Sequence, residues 1–74
     1  MPQSFRKTRK RLRRHDVVWH KDKGKGSHGD LVGNDKDGLR VTFPVPKSQH
    51  KEIDDIYLKL IADRFGIPLS ELKG

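Results

Sequence analysis

The 74-residue chain contains no cysteine. This absence excludes a disulfide framework, a cysteine-ligated zinc site and a thiol nucleophile. Hydrophobic residues make up only 31% of the chain and charged residues 36%, so its core has to be small. Apolar runs never exceed three residues, which is far too short for a membrane-spanning helix. We therefore expect one small domain over residues 1–74, with no secretory signal and, by default, a cytoplasmic location.

Positive charge is concentrated in the first third of the chain. Residues 1–25 have a net charge of +8, residues 26–50 of zero and residues 51–74 of −1, which gives +7 for the whole chain. Such clustering is typical of proteins that bind a polyanion, most often nucleic acid. Solubility explains it less well, because solubility does not require clustering. A membrane surface is disfavoured, since only Phe5 and Leu12 could form the apolar side of an anchor.

The basic segment predicts a helix over residues 4–15. Ser4 is suited to cap it, and a narrow apolar stripe at helical spacing would face inward at Phe5, Thr8 and Leu12. The alternative is a disordered basic arm, because so many like charges repel one another in an isolated helix. Residues 1–3 are expected to be flexible.

Residues 17–45 predict a three-stranded antiparallel sheet. An Asp-Gly pair at 37–38 indicates a hairpin before the last strand. That strand is expected to lie at an edge or to end there, because Pro44 and Pro46 lack a backbone donor. Alternation along it predicts an inward face made of Leu39, Val41, Phe43 and Val45.

A second helix is predicted over residues 49–65, with Ser48 as its cap and Gly66 and Pro68 ending it. Its apolar face is expected at Ile53, Ile56, Tyr57, Leu60 and Ile61, widened by Leu58 and Phe65. Residues 67–72 should fold back over the core. The resulting fold class is α+β, a small αβββα sandwich with both helices on one face of the sheet.

The candidate chemistry lies in a glycine-rich basic turn that leads into His28. Gly24 and Gly26 allow a close approach to a ligand, and Lys25 adds a charge that attracts phosphate. If Leu31 faces the core, alternation places His28 and Asp30 on the opposite face, with Arg40 and Thr42. An imidazole beside an arginine suits RNA cleavage, because the 2′-hydroxyl supplies the nucleophile. A lone exposed histidine is nevertheless more often a bystander than a catalyst.

Three features together resemble the HicA family, the small toxins of bacterial and archaeal toxin–antitoxin pairs. They are the Lys-Gly-Ser-His run at 25–28, the Asp-Gly hairpin, and the strand Leu-Arg-Val-Thr-Phe-Pro-Val at 39–45, followed by a helix that ends in Gly-Ile at 66–67. The resemblance covers roughly residues 8–72. It implies a fold like the double-stranded-RNA-binding domain and a metal-independent endoribonuclease, without a cofactor, that cleaves messenger RNA. It also implies that His28 is catalytic and that a HicB-type antitoxin is the protein partner.

The sequence departs from the family pattern at several positions. Pro46 stands where the family often has a histidine, and His50 comes four residues later. The family commonly has a glycine and an aromatic residue after the first helix, where this chain has His-Asp-Val at 15–17. A bulkier residue is frequent at the position of Gly29. These differences leave the second proton-transfer group open.

His20 is the candidate for this second group if its side chain faces outward. Trp19 could instead take the outer face and stack on a base, although a core position is more usual for so large a ring. The residues expected to hold RNA or its phosphates are Lys7, Arg11, Arg14, Gly24, Lys25, Gly26, Ser27 and Arg40. No metal site is predicted. The competing hypothesis is a non-catalytic RNA-binding module of the same fold, or a small structural protein of a ribonucleoprotein particle.

Overall fold

The computed structural model describes residues 3–21 and 28–73, and it gives His28 through its backbone alone. A 3₁₀ turn at Lys47–Gln49 follows the strand that ends at Pro46 and precedes the strand that begins at Glu52. The helices and strands follow in the order β1 (Gln3–Ser4), α1 (Phe5–Arg13), β2 (Val18–His20), β3 (His28–Asn34), β4 (Arg40–Pro46), β5 (Glu52–Ile53), α2 (Asp55–Phe65) and α3 (Leu69–Leu72).

The main sheet has the strand order β2-β3-β4, and both pairings are antiparallel. The predicted three-stranded sheet is confirmed, and β4 lies at an edge, as its two prolines require. The hairpin before β4 is closed by the Asp35 amide, which donates to the Leu39 carbonyl at 2.8 Å, and Gly38 takes a φ of 81°. The prediction for Leu39 is wrong: it precedes β4 and is 65% exposed, because β4 begins only at Arg40.

Helix α1 has the predicted inward stripe: Phe5, Thr8 and Leu12 are all buried. The Ser4 hydroxyl accepts a hydrogen bond from the amide of Lys7, so the predicted cap is present. The helix ends at Arg13 rather than at residue 15. The basic residues therefore belong to a helix that packs on the sheet and not to a disordered arm.

Gln3 takes part in the fold through both its main chain and its side chain. It lies in β1, opposite Ile53 of β5. Its side-chain amide donates to the Thr8 hydroxyl and to the Leu72 carbonyl, each at 2.7 Å. One side chain thus connects β1, α1 and α3.

The second helix begins later than predicted, at Asp55 instead of residue 49. The cap is not Ser48. The buried Gln49 takes a similar role, because its carbonyl oxygen accepts from the Asp54 amide at 2.8 Å and its amide donates to the Asp54 carboxylate at 3.1 Å. Gly66 ends the helix as predicted, in the left-handed conformation with a φ of 62°.

The buried face of α2 also differs from the prediction. Ile56 is 71% exposed and Leu60 is 48% exposed. The residues of α2 that are buried are Leu58, Ile61, Ala62 and Phe65. Ile53 is buried as expected, but it reaches the core from β5. The helix is therefore rotated toward a second apolar stripe that has equally good helical spacing.

Both main helices pack on one face of the sheet, where the core lies. The predicted fold-back after α2 is confirmed, since Ile67 and Leu72 are buried. The remaining buried hydrophobic residues come from α1, the sheet, β5 and α2: Phe5, Leu12, Val17, Leu31, Phe43, Val45, Ile53, Leu58, Ile61, Ala62 and Phe65.

Two alanine substitutions on α2 test its orientation. Leu58→Ala should lower the free energy of unfolding by about 2–5 kcal/mol, because it leaves a cavity in the core. Ile56→Ala on the same helix should change it by no more than about 0.5 kcal/mol, because this side chain is in solvent. Urea unfolding followed by circular dichroism measures both values. A larger loss of unfolding free energy for Ile56→Ala than for Leu58→Ala would instead favour the buried face predicted from the sequence.

Candidate nucleic-acid interface

The face of the sheet opposite the helices is open to solvent. Alternation along the strands gives it the exposed side chains of Val18, His20, Asp30, Asn34, Arg40, Thr42 and Pro44. The side chain of His20 is exposed on this face, so it faces outward as its candidate role in proton transfer requires. Trp19 lies on the inner side, half-buried against the core, and so is not the outward-facing residue.

The register of β2 and β3 brings two histidine positions close together. His20 lies directly opposite Asp30. His28 precedes Asp30 by two residues on β3, so positions 20 and 28 are diagonal neighbours in the ladder. Diagonal Cα atoms are about 7–8 Å apart, a distance that long side chains span. Asp30 is therefore the cross-strand neighbour of His20, rather than only the strand neighbour of His28.

Arg40 lies on the open face but far from His28. It pairs with Asn34, whereas His28 pairs with Pro46. Six residues of strand separate position 28 from Asn34, which is about 20 Å. The interpretation that Arg40 lies beside His28 is wrong, because the two residues lie at opposite ends of the β3–β4 pair.

Four predicted phosphate-binding residues, Gly24, Lys25, Gly26 and Ser27, lie outside the residues that the structure describes. Lys21, which follows His20, is described and exposed.

The other two histidines have structural partners. The His15 imidazole is 2.8 Å from the carboxylate of Glu71, which joins the end of α1 to α3. His50 Nε2 donates to the Val45 carbonyl at 2.8 Å. The His50 ring also meets the Trp19 ring edge-to-face, with centroids 4.9 Å apart. Of the four histidines, His20 and His28 are thus the two in the main sheet.

The basic residues of α1 fall on two flanks of the helix. One flank holds the predicted Lys7, Arg11 and Arg14. Arg11 on this flank donates to the main-chain carbonyls of Glu71 and Lys73, at 3.5 and 3.4 Å. Arg11 therefore contributes to the docking of α3.

The second flank borders a groove between α1 and the edge strand β2. The groove has a volume of about 280 Å³. Its lining consists of Arg6, Arg9, Lys10, Arg13, Val17, Trp19 and Leu31. Sequence reasoning missed this set, although its positions recur at helical spacing along α1.

Arg9 and Trp19 also line an adjoining cavity of about 200 Å³, with Phe5, Lys21 and His50. The Arg9 guanidinium lies over the Phe5 ring at 5.3 Å, and its buried Nε has no hydrogen-bond partner among the described residues. The two cavities therefore meet at a positioned arginine and an indole.

Gly29 makes room for that indole. A Cβ atom at this position would lie 2.3 Å from the Trp19 ring. The ring also meets Phe5 edge-to-face, with centroids 4.9 Å apart. A bulkier residue at position 29 would therefore displace the tryptophan.

Comparison with protein-family models, with curated proteins and with solved structures finds no match to the chain. None of the helices in the described ranges has the length and apolar character that crossing a bilayer requires. Within residues 3–21 and 28–73, no group of three or more histidine, aspartate or glutamate side chains is arranged to hold a metal ion.

Gly29→Ala should destabilise the protein by about 1–3 kcal/mol, because the added methyl group overlaps the Trp19 ring. The same variant should change the tryptophan emission of the folded protein, which has a single tryptophan. Asn34→Ala, an exposed position on the same strand, is the matched control and should have little effect. Thermal unfolding followed by fluorescence measures both. Equal stability of the two variants would show that the indole does not lie on Gly29.

Proposed function

We propose that this protein is an endoribonuclease that uses two imidazoles, and that it is the toxin of a HicA-type pair. The positions of His20 and His28 as diagonal neighbours in the β2–β3 ladder carry the proposal. RNA cleavage needs one proton acceptor and one proton donor, on opposite sides of a phosphodiester. Position 28 has the same parity as Asp30, the cross-strand partner of His20, in the β2–β3 ladder.

The reaction would proceed by transfer to the neighbouring ribose oxygen. One imidazole takes the proton of the 2′-hydroxyl, and the 2′-oxygen attacks phosphorus. The bond to the 5′-oxygen breaks as the other imidazole gives that oxygen a proton. The products are a 2′,3′-cyclic phosphate and a 5′-hydroxyl. Asp30 is the cross-strand neighbour of His20 on this face.

The turn at residues 24–27 would hold the phosphate in this reaction, with Lys25 supplying charge for the phosphorane. Lys21 lines the smaller cavity together with Trp19, on the side of β2 opposite His20. Arg40 would contact a more distant part of the RNA. This chemistry needs no cofactor or metal ion.

Two structural features support the resemblance to HicA and to the double-stranded-RNA-binding domain. The order of the main elements is αβββα, with both helices on one sheet face. Asp16 has a φ of 61°, in the left-handed region that favours glycine. It lies just after α1, where the family commonly has a glycine. A HicB-type antitoxin that covers the open face, and a cytoplasmic location, belong to the same proposal.

The concentration of cations on α1 favours a second candidate function, RNA binding without cleavage. Such a module needs the basic helix and no particular histidine. It would bind RNA with an affinity that falls steeply with salt and would release no product.

His28→Ala should abolish cleavage of RNA while binding persists, and His20→Ala should lower the rate by about 10²–10⁴-fold, because each removes one proton transfer. His15→Gln is the control and should cleave normally, since His15 pairs with Glu71 away from the sheet. The assay follows RNA and DNA of equal sequence in EDTA, with analysis of the product ends. Cleavage by His28→Ala at the parental rate would exclude the mechanism and leave the binding module.

Induction of the protein in a bacterium should stop growth, and His28→Ala should remove that effect. Coexpression of a neighbouring open reading frame should restore growth if an antitoxin is encoded there. Colony counts and total RNA integrity are the measurements. Normal growth with intact RNA, at matched protein levels, would argue against a toxin and would not affect the binding module.

A further inference from the structure

We propose that the groove between α1 and β2 is the binding site for single-stranded RNA, with phosphates on the second flank of α1 and a base against Trp19. The inference rests on the RNA-binding part of the proposed function and not on cleavage. It assigns binding to Arg6, Arg9, Lys10 and Arg13, rather than to the flank predicted from sequence.

The charge of the groove favours a polyanion. Four cations line it, and no carboxylate does so among the residues that the structure describes. Arg6 and Arg13 are seven residues apart, which is about 10 Å along the helix axis. A strand that follows α1 would therefore meet these cations at more than one phosphate.

Arg9 gives the groove a fixed cation. Its guanidinium lies over the Phe5 ring, and its buried Nε has no hydrogen-bond partner among the described residues. A phosphate oxygen in the groove would accept charge-assisted bonds from the terminal nitrogens of this guanidinium.

The apolar part of the lining favours a single strand over a duplex. The wall on the sheet side is the partly exposed Trp19 ring, together with Val17 and Leu31, which are buried. An unpaired base can be splayed out against such a wall, whereas a duplex keeps its bases stacked inside and offers mainly its backbone. An acidic polypeptide would satisfy the cations but would have no flat ring to place against the indole.

The groove also lies close to the histidine pair. Trp19 and His20 are consecutive residues on opposite faces of β2, and β2 is an edge strand. An RNA strand that leaves the groove can pass around this edge to the open face. The histidines would then act on a nucleotide just beyond the bound segment.

Salt-dependent binding of a short fluorescein-labelled oligouridylate tests the groove. Arg6→Gln/Arg13→Gln should reduce the slope of log affinity against log salt by about 1.4, since each phosphate contact in a single strand contributes about 0.7. Lys36→Gln/Lys59→Gln removes the same charge from exposed positions on the hairpin and α2, and should leave the slope unchanged. Lys7→Gln/Arg14→Gln tests the opposite flank of α1. A smaller slope in Arg6→Gln/Arg13→Gln alone supports the groove as the binding site. An equal reduction of the slope in all three double variants overturns the proposal.

Trp19 provides a second readout, because it is the only tryptophan and lies in the groove. Oligouridylate should quench its emission in the parent protein and in the Lys36/Lys59 variant, but much less in the Arg6/Arg13 variant at the same concentration. Unchanged emission at saturating RNA would overturn the proposal. So would equal competition by polyglutamate or by an RNA duplex. Cleavage is followed separately on the same samples, so a protein that binds and quenches without cleaving RNA supports the groove and argues only against the nuclease.

Discussion

The contact between the Trp19 indole and the backbone of Gly29 is the constraint on which the candidate interface depends. The ring crosses from β2 to β3 and meets Phe5 of α1 and His50 edge-to-face. It therefore fixes the distance between the edge strand and the basic helix, and so the width of the groove. Because side chains alternate along a strand, burying Trp19 also turns His20 to the other face.

The sheet was predictable from sequence because its signals are local. Alternating residues, an Asp-Gly turn and two prolines act within a few positions of one another, and they determine the strand order and the edge. The face of α2 was not predictable in this way. Its sequence has two apolar stripes with good helical spacing, and the choice between them is made by tertiary packing. Phe65 belongs to the stripe that is buried, and it packs near Gly33, where a Cβ would be 3.3 Å from its ring.

The start of α2 is likewise decided by a contact between residues that are distant in sequence. Residues 49–53 continue the helical pattern in sequence, yet Ile53 pairs with Gln3, which is fifty positions away in the chain. Such a non-local strand pair competes with local helix propensity and leaves no periodic signal. Arg40, by contrast, could have been placed more accurately, since a residue that directly follows a hairpin must lie at the hairpin end of the sheet. His28 is at the other end of β3, so the two share a face but not a location.

The two faces of β2 explain why the positive charge and the histidines can belong to one function although they lie on opposite sides of the sheet. If β2 were an interior strand, neighbouring strands would separate the groove from the open face. Because β2 lies at the edge, only its own thickness separates the two. On the proposed function, binding by α1 would supply affinity that depends on charge and not on the ribose. The imidazoles would act on the ribose itself, which DNA lacks at the 2′ position. On this arrangement affinity and chemistry reside in different residues, and each can be removed while the other stays.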